Sequence, residues 1–344
     1  MTLYVHIPFC ASKCGYCAFN SIDSHFDLQE EYVEALLIDL AHSIEGKSFT
    51  SVYFGGGTPN ILHQKFYESI FELIGQKASL SKDAEITMEC NPNLIQQSWC
   101  ESLKSLGANR VSLGVQSFFE KKLEFLQRDH RSYDIFQSIE ILKQSSLVNL
   151  SIDLIYNTPF DSVETLGVEL ERLKSLEVSH LSAYALSIDK GSVFYKAPPK
   201  LSGVDYSFEL REMLGEIGFV QYEVSSYCGG HKSAHNLSYW RGEDYIGCGA
   251  GAVGCVGNVR SRGTQSVLGY IKNPLKKQKE ILSDEQKRFE RLFLGLRCEE
   301  GVSLDEVDAR KAQILLDEQK CRQVENRLVA LDFFLADEIA LWLS

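Results

Sequence analysis

The chain has 344 residues, of which 44% are hydrophobic and 24% are charged, and its formal net charge is −12. This length suffices for one large α/β domain and a smaller one. The negative charge disfavours nucleic acid as a partner, and the basic run at 272–279 is typical of a solvated surface. No apolar run approaches the ~20 residues that span a bilayer, so we expect a soluble, cytoplasmic protein.

Short apolar and β-branched runs alternate with helical patterns over the first two thirds of the chain. The predicted strands are 2–7, 51–56, 85–90, 110–115, 149–156 and 180–186, and the clearest predicted helices are 29–44, 99–107 and 163–176. This alternation is typical of βαβ units around a parallel sheet. Six units are too few for a closed eight-stranded barrel, so we predict an α/β fold with a partial (β/α)6 barrel, whose chemistry lies at the carboxyl ends of the strands.

Glycines and polar residues gather where these predicted strands end. The first strand runs into a loop with three cysteines, and the second runs into Gly-Gly-Gly-Thr-Pro at 55–59. Later strands carry Glu89, Gln116 and Asp153. Each feature alone could end a strand or cap a helix. Their common position at one edge of the sheet favours a shared site.

The pattern changes near residue 228. A segment rich in glycine, histidine and aromatic residues follows, and from 283 the sequence is mostly helical in pattern. We therefore expect two domains, a barrel over 1–227 and a mostly helical C-terminal domain over 228–344. The sequence does not define the role of 283–344.

Three of the ten cysteines, Cys10, Cys14 and Cys17, form a C-x3-C-x2-C pattern after the first predicted strand. Two kinds of metal site are compatible with this spacing. A zinc ion would need a fourth ligand, for which His6 is the candidate. An iron–sulfur cubane held by only three thiolates would keep one iron open to a substrate. The other seven cysteines are scattered, and we expect most of them to be reduced and buried.

The C-x3-C-x2-C loop after the first strand of a partial barrel resembles the signature of the radical S-adenosylmethionine (SAM) enzymes. The resemblance implies a [4Fe-4S] cluster on Cys10, Cys14 and Cys17, with SAM chelating the fourth iron. An electron from the reduced cluster would then cleave SAM to methionine and a 5′-deoxyadenosyl radical. The cofactors would supply that chemistry, and the protein would orient and shield them.

The order of motifs is similar to that of the oxygen-independent coproporphyrinogen III oxidase-like family, and the similarity extends over nearly the whole chain. The motifs are YVHIPFC, FGGGTPN, ECNPN, RVSLGVQSF, LQRDH and IDLIY. The resemblance implies a SAM site formed by Tyr4, Tyr16, Gly56, Gly57, Thr58, Glu89, Gln116, Arg128 and Asp153. Taken alone, Arg128 could instead form a surface salt bridge with Asp129 or Glu124. The sequence departs from the family at Asn157-Thr158, where many relatives have Gly-Leu.

Two features separate the subgroups of this family. The oxidases have a further cysteine two residues after the third, where this chain has Phe19. The haem-chaperone subgroup, HemW, instead has an H-N-x-x-Y-W motif, which is present here at 235–240. The resemblance therefore implies a haem chaperone that binds haem through His235, Tyr239 and Trp240 and delivers it to haem-accepting proteins. Candidate acceptors include respiratory and membrane-associated proteins, and a homodimer is a candidate assembly.

Four alternatives remain open from the sequence. The 235–240 segment could be a helix whose aromatic side chains pack on the barrel, and Cys228, His231 and His235 have a spacing that could bind zinc. The protein could be an oxidase that decarboxylates coproporphyrinogen III, or a radical SAM enzyme that acts on another substrate. Val253-Gly254, where relatives often have His-Ser, is a further departure that bears on haem handling.

Overall fold

A computed structural model describes residues 1–344. Six parallel strands form the centre of the fold, and all six coincide with predicted strands, which confirms the α/β barrel. They are β1 (Thr2–Ile7), β2 (Ser48–Gly56), β3 (Ser79–Cys90), β4 (Arg110–Gln116), β5 (Leu150–Tyr156) and β6 (His180–Ala185). They pair in chain order and all in parallel.

Eight helices lie in the first two thirds of the chain. They are α1 (Gln29–Ser43), α2 (Gln64–Lys77), α3 (Gln97–Leu106), α4 (Glu120–Phe125), α5 (Ser132–Gln144), α6 (Val163–Ser175), α7 (Val193–Lys196) and α8 (Ser207–Glu216). The three helices predicted most clearly correspond to α1, α3 and α6. Local sequence sets their ends: Ser162 caps α6 by accepting a hydrogen bond from the Thr165 backbone N–H, and Gly107 ends α3 in the left-handed conformation at φ 106°.

Six further strands extend the central sheet on both sides. They are β7 (Val220–Gln221), β8 (Ser226–Cys228), β9 (Tyr245–Cys248), β10 (Val253–Val256), β11 (Val259–Gly263) and β12 (Lys277–Ile281). The resulting twelve-stranded sheet has the order β12-β11-β10-β9-β1-β2-β3-β4-β5-β6-β8-β7. Strand β9 pairs in parallel with β1, so the sheet continues beyond the boundary expected near 228. That boundary stays a prediction.

The C-terminal part also contains five helices and a small sheet. The helices are α9 (Ala234–Trp240), α10 (Val267–Lys272), α11 (Asp284–Gly295), α12 (Ala309–Asp317) and α13 (Ala336–Leu343), and the strands are β13 (Val302–Ser303), β14 (Cys321–Val324) and β15 (Arg327–Ala330). A separate cluster of 12 buried apolar residues runs from Leu292 to Leu343. The main core, with 53 residues, lies between the sheet and the helices around it. None of the helices has the length and apolar character that a bilayer crossing requires.

Candidate cluster and cofactor cavity

The three cysteines of the C-x3-C-x2-C loop line a single cavity of about 370 Å³ at the carboxyl ends of the barrel strands. None of the three forms a disulfide. The Cys10 backbone N–H donates to Ile22 O at 2.9 Å, which fixes the start of the loop. A Cβ atom on Gly15 would lie 2.2 Å from the Phe194 ring, so glycine is required there because α7 packs against the loop.

The arrangement of these thiols fits a cluster better than a single bound metal ion. No group of three His, Cys, Asp or Glu side chains converges closely enough to hold one ion. A cubane binds each thiolate to a different iron, so it accepts three thiols spread around one cavity. Burial raises the pKa of the Cys10 and Cys17 thiols, so cluster binding must release their protons.

The structure supports neither of the two zinc sites considered from the sequence. His6 is engaged through both ring nitrogens, with Nε2 at 2.8 Å from Asn20 O and Nδ1 at 3.0 Å from the Tyr4 hydroxyl. It therefore does not join the three cysteines. His231 is exposed on the surface whereas His235 is buried, and with Cys228 they form no ligand group.

The glycine-rich loop after β2 is fastened to the segment that leads into Cys10. The Gly57 N–H donates to Ile7 O, and the Thr58 N–H donates to Phe9 O, both at 2.7 Å. A Cβ on Gly57 would lie 2.6 Å from Phe9 O, so only glycine permits this approach. Gly56, Gly57 and Thr58 all line the cavity. The first two parallel strands thus bring the cysteine loop and the glycine loop to one site.

Two partly buried carboxyl groups, Glu89 on β3 and Asp153 on β5, form one wall of this cavity. Glu89 accepts hydrogen bonds from the Tyr53 hydroxyl at 2.7 Å and from the Gly56 N–H at 3.0 Å. Burial raises the pKa of Glu89. Burial, reinforced by the negative charge of Glu89, raises the pKa of Asp153 to about 7. A cationic ligand, such as the ammonium or sulfonium group of SAM, would relieve this repulsion.

Arg128 lies inside the cavity wall. It donates to Cys14 Sγ at 3.2 Å, to Asn91 Oδ1 at 2.6 Å and to Gly114 O at 2.9 Å. It makes no ion pair with Asp129 or Glu124 within 4.0 Å, so the surface salt bridge considered from the sequence is absent. Its guanidinium group therefore lines the cavity and contacts a thiol of the cysteine loop.

The remaining residues of the expected SAM site divide into two groups. Tyr16 and Gln116 line the cavity, and Gln116 ends β4 in the left-handed conformation at φ 64°. Tyr4 does not line it; its ring stacks on Tyr53, with centroids 6.3 Å apart, deeper in the barrel. Sequence reasoning missed Asn91 and Tyr184 as residues of the cavity wall. The position of Tyr184 near the end of β6 was a signal that could have identified it.

The two departures from the family pattern lie in different places. Asn157 takes the left-handed conformation at φ 63° directly after β5. Asparagine tolerates this conformation better than most residues that have a side chain, so it can occupy a position where many relatives have glycine. Its amide group also binds Asp205 and the Tyr206 N–H at 2.9 Å each. Val253 begins β10, outside the six-stranded barrel.

The H-N-x-x-Y-W segment forms helix α9, which packs against the barrel. His235 is 1% exposed, and its Nδ1 lies 2.8 Å from Ser51 Oγ. Its ring stacks on Tyr53 at 4.8 Å and meets Tyr239 edge-on at 5.0 Å. Tyr239 and Trp240 are partly buried. The structure does not bring these residues to the cysteine cavity. Their contacts are those of a helix whose aromatic side chains pack on the barrel, which is one of the alternatives considered from the sequence. A haem iron cannot reach His235 while α9 stays in this position.

Comparison with known proteins agrees with the geometry of the cavity. The family model of the radical SAM superfamily matches residues 4–173. The haem chaperone HemW of Lactococcus lactis is 32% identical over 317 residues, which cover 89% of this chain and 83% of that protein. HemW of Escherichia coli is 36% identical over 265 residues, which cover 74% and 70%.

The chain belongs to the HemW family of the radical SAM superfamily. A solved structure, that of the coproporphyrinogen III oxidase HemN from Escherichia coli, superposes with a TM-score of 0.85 at 20% identity and covers 99% of this chain and 89% of that one. At this identity the match establishes a shared fold only. Membership of the radical SAM superfamily implies a [4Fe-4S] cluster and SAM, for which the HemW-type cavity described above offers three thiols and a polar wall.

Proposed function

We propose that this protein is a cytoplasmic haem chaperone, which binds haem and passes it to haem-requiring proteins. The observation that carries the proposal is the similarity to HemW proteins over most of their length. Two features of the chain agree with it. Phe19, at the position of the additional cysteine of the oxidases, is 70% exposed at the edge of the cavity, and the H-N-x-x-Y-W motif is complete in α9.

We propose that Cys10, Cys14 and Cys17 hold the [4Fe-4S] cluster and that SAM occupies the rest of the cavity. When bound, the cluster supplies an electron and an open coordination position for SAM. Gly56, Gly57 and Thr58 would offer backbone groups to the methionine part, because the absence of Cβ atoms at the two glycines allows close approach. Glu89 and Asp153 would offset positive charge, and Arg128 would bind a carboxylate.

Haem binding at α9 requires that the helix leave the barrel, because His235 is buried there. A neutral imidazole is a common axial ligand of haem iron. Burial lowers the pKa of His235 to about 3, and the charge of Arg110 adds to this effect. The imidazole is therefore neutral while α9 is docked. Tyr239 and Trp240 would provide flat apolar surface beside the porphyrin.

An anaerobic haem titration of the cluster-reconstituted protein, followed by absorbance, tests this function. We expect stoichiometric binding in the wild type and weaker binding in His235→Ala. Equal binding in both would place the haem ligand elsewhere, and absence of binding would remove the chaperone function. Conversion of coproporphyrinogen III in an anaerobic assay with SAM and a reductant would establish the oxidase alternative instead.

A further inference from the structure

An aromatic column, formed by Tyr4, Tyr53, His235 and Tyr239, connects helix α9 to strands β1 and β2. His235 stacks on Tyr53 with ring centroids 4.8 Å apart and an interplanar angle of 28°. Tyr4 stacks on Tyr53 as well, at 6.3 Å and 27°. Tyr239 meets the His235 ring edge-on, with centroids 5.0 Å apart. Because Tyr53 contacts both Tyr4 and His235, the position of its ring depends on whether α9 is docked.

Tyr53 also touches the wall of the cysteine cavity. Its hydroxyl donates to Glu89 Oε1 at 2.7 Å, and the other oxygen of Glu89 accepts from the Gly56 N–H at 3.0 Å. Glu89 is thus held between the glycine loop and Tyr53. A second connection runs from the Tyr4 hydroxyl to His6 and from His6 to Asn20 O, at the end of the cysteine loop.

Helix α9 is held in place by a carboxylate that does not reach the cavity. Glu85 of β3 accepts from the Ala234 and His235 N–H groups at 3.1 Å and 3.0 Å. Inside the barrel, His235 Nε2 has no hydrogen-bond partner. A buried imidazole nitrogen without a partner lowers the stability of the docked position, so α9 is poised to leave when a ligand for that nitrogen is present.

We propose that Tyr53 is a positioning residue that couples α9 to Glu89, so that SAM in the cysteine cavity and haem on His235 weaken each other's binding. This inference rests on the proposed function. With α9 docked, Tyr53 stacks on the His235 imidazole and holds Glu89 in place for SAM. With α9 displaced for haem, Tyr53 loses its contact with the imidazole, and Glu89 loses a fixed donor. Coupling between two binding sites is reciprocal, so each ligand opposes the other by the same factor.

Haem titration of the cluster-reconstituted full chain, with and without saturating SAM, tests the coupling. We expect SAM to raise the haem Kd by about five- to tenfold in the wild type. Tyr53→Phe keeps the ring but removes the bond to Glu89, so the ratio should fall towards one. Tyr270→Phe is the matched control, because it removes a buried hydroxyl that donates to Asp39 at 3.0 Å outside the aromatic column, and it should keep the wild-type ratio.

A second variant and a second readout keep the test independent of how well Tyr53→Phe folds. Glu85→Gln should loosen α9, and it should therefore strengthen haem binding while it weakens SAM binding, a pair of opposite changes that a general folding defect does not produce. Hydrogen exchange over 234–240 should slow when SAM is added to the wild type and should not change in Tyr53→Phe.

The outcomes separate this inference from the proposed function. Haem binding that depends on His235 but is the same with and without SAM would overturn the coupling and leave the chaperone function intact. Haem binding that is unchanged in His235→Ala would also overturn the coupling, because α9 would then not be the haem site. Absence of haem binding in the wild type would overturn the proposed function itself.

Discussion

Replacing Asp153 by Asn should stabilise the cluster-free protein in a manner that depends on pH. Burial, reinforced by the negative charge of Glu89, raises the pKa of Asp153 from 3.8 to about 7. An acid whose pKa is raised by folding binds its proton more tightly in the folded state. Asp153 therefore costs no stability below about pH 4, costs progressively more as the pH rises, and reaches its full cost above pH 7.

The magnitude follows from the size of this shift. One pKa unit corresponds to about 1.4 kcal/mol, so a shift of three units costs ~4 kcal/mol above pH 7 and ~2 kcal/mol at pH 5. Asn removes the ionisable group and keeps the size of the side chain. The advantage of Asp153→Asn over the wild type in free energy of unfolding should therefore grow by about 2 kcal/mol between pH 5 and pH 8.

Urea unfolding at several pH values, under reducing conditions and without cluster or SAM, measures this difference. Asp83→Asn is the matched control for the loss of one negative charge, because Asp83 lies exposed on the neighbouring part of the sheet, in β3. Parallel stability curves for Asp153→Asn and the wild type would refute the argument, since they would mean that Asp153 titrates alike in the folded and unfolded chains.

The other predictions concern the cluster, SAM and the barrel framework. Cys14→Ala should abolish cluster binding, measured as iron per chain and visible absorbance, because two thiolates hold a cubane poorly; full iron content would contradict the cluster assignment. Arg128→Ala should weaken SAM binding in equilibrium dialysis by about tenfold or more while the iron content is retained, and an unchanged affinity would show that Arg128 does not contact SAM. Lys122→Met should lower the free energy of unfolding by about 3–5 kcal/mol, because it leaves Asp161 and Glu169, now at 2.6 Å and 3.1 Å from the ammonium group, buried without a cation. Adding Asp161→Asn and Glu169→Gln should recover most of that loss, and a failure to do so would point to lost packing rather than lost charge pairing.

The sequence by itself determined the barrel and the edge of the sheet at which the candidate site lies. Alternating strand and helix patterns define a parallel sheet, and the carboxyl ends of parallel strands meet at one edge. This is why the cysteine loop, the glycine loop, Glu89, Gln116 and Asp153 could be grouped from their positions along the chain, and all of them line one cavity. Motifs that are far apart in the chain but follow equivalent strands of the βα units can therefore be placed together from the sequence alone.

Strands β9 to β12, which extend the barrel sheet, could not be predicted from the sequence. Strands β9 to β12 are short, and their glycines and charged residues resemble loop sequence. Their extended conformation is stabilised by pairing with β1 and with one another, which is a long-range interaction that local propensity does not contain. The sequence pattern therefore indicated helices from 283 onward but not the continuation of the sheet over 245–281.

The burial of His235 is the clearest feature that only the tertiary structure determines. The sequence supplies a motif with a histidine and two aromatic residues, and both a haem site and a packed helix are compatible with it. Only the folded chain shows that Ser51 and Tyr53 of β2 and Glu85 of β3 receive α9 and bury the imidazole. Partners separated by 150 to 184 positions decide this, because burial and stacking depend on which surfaces meet in space and not on the order of residues along the chain.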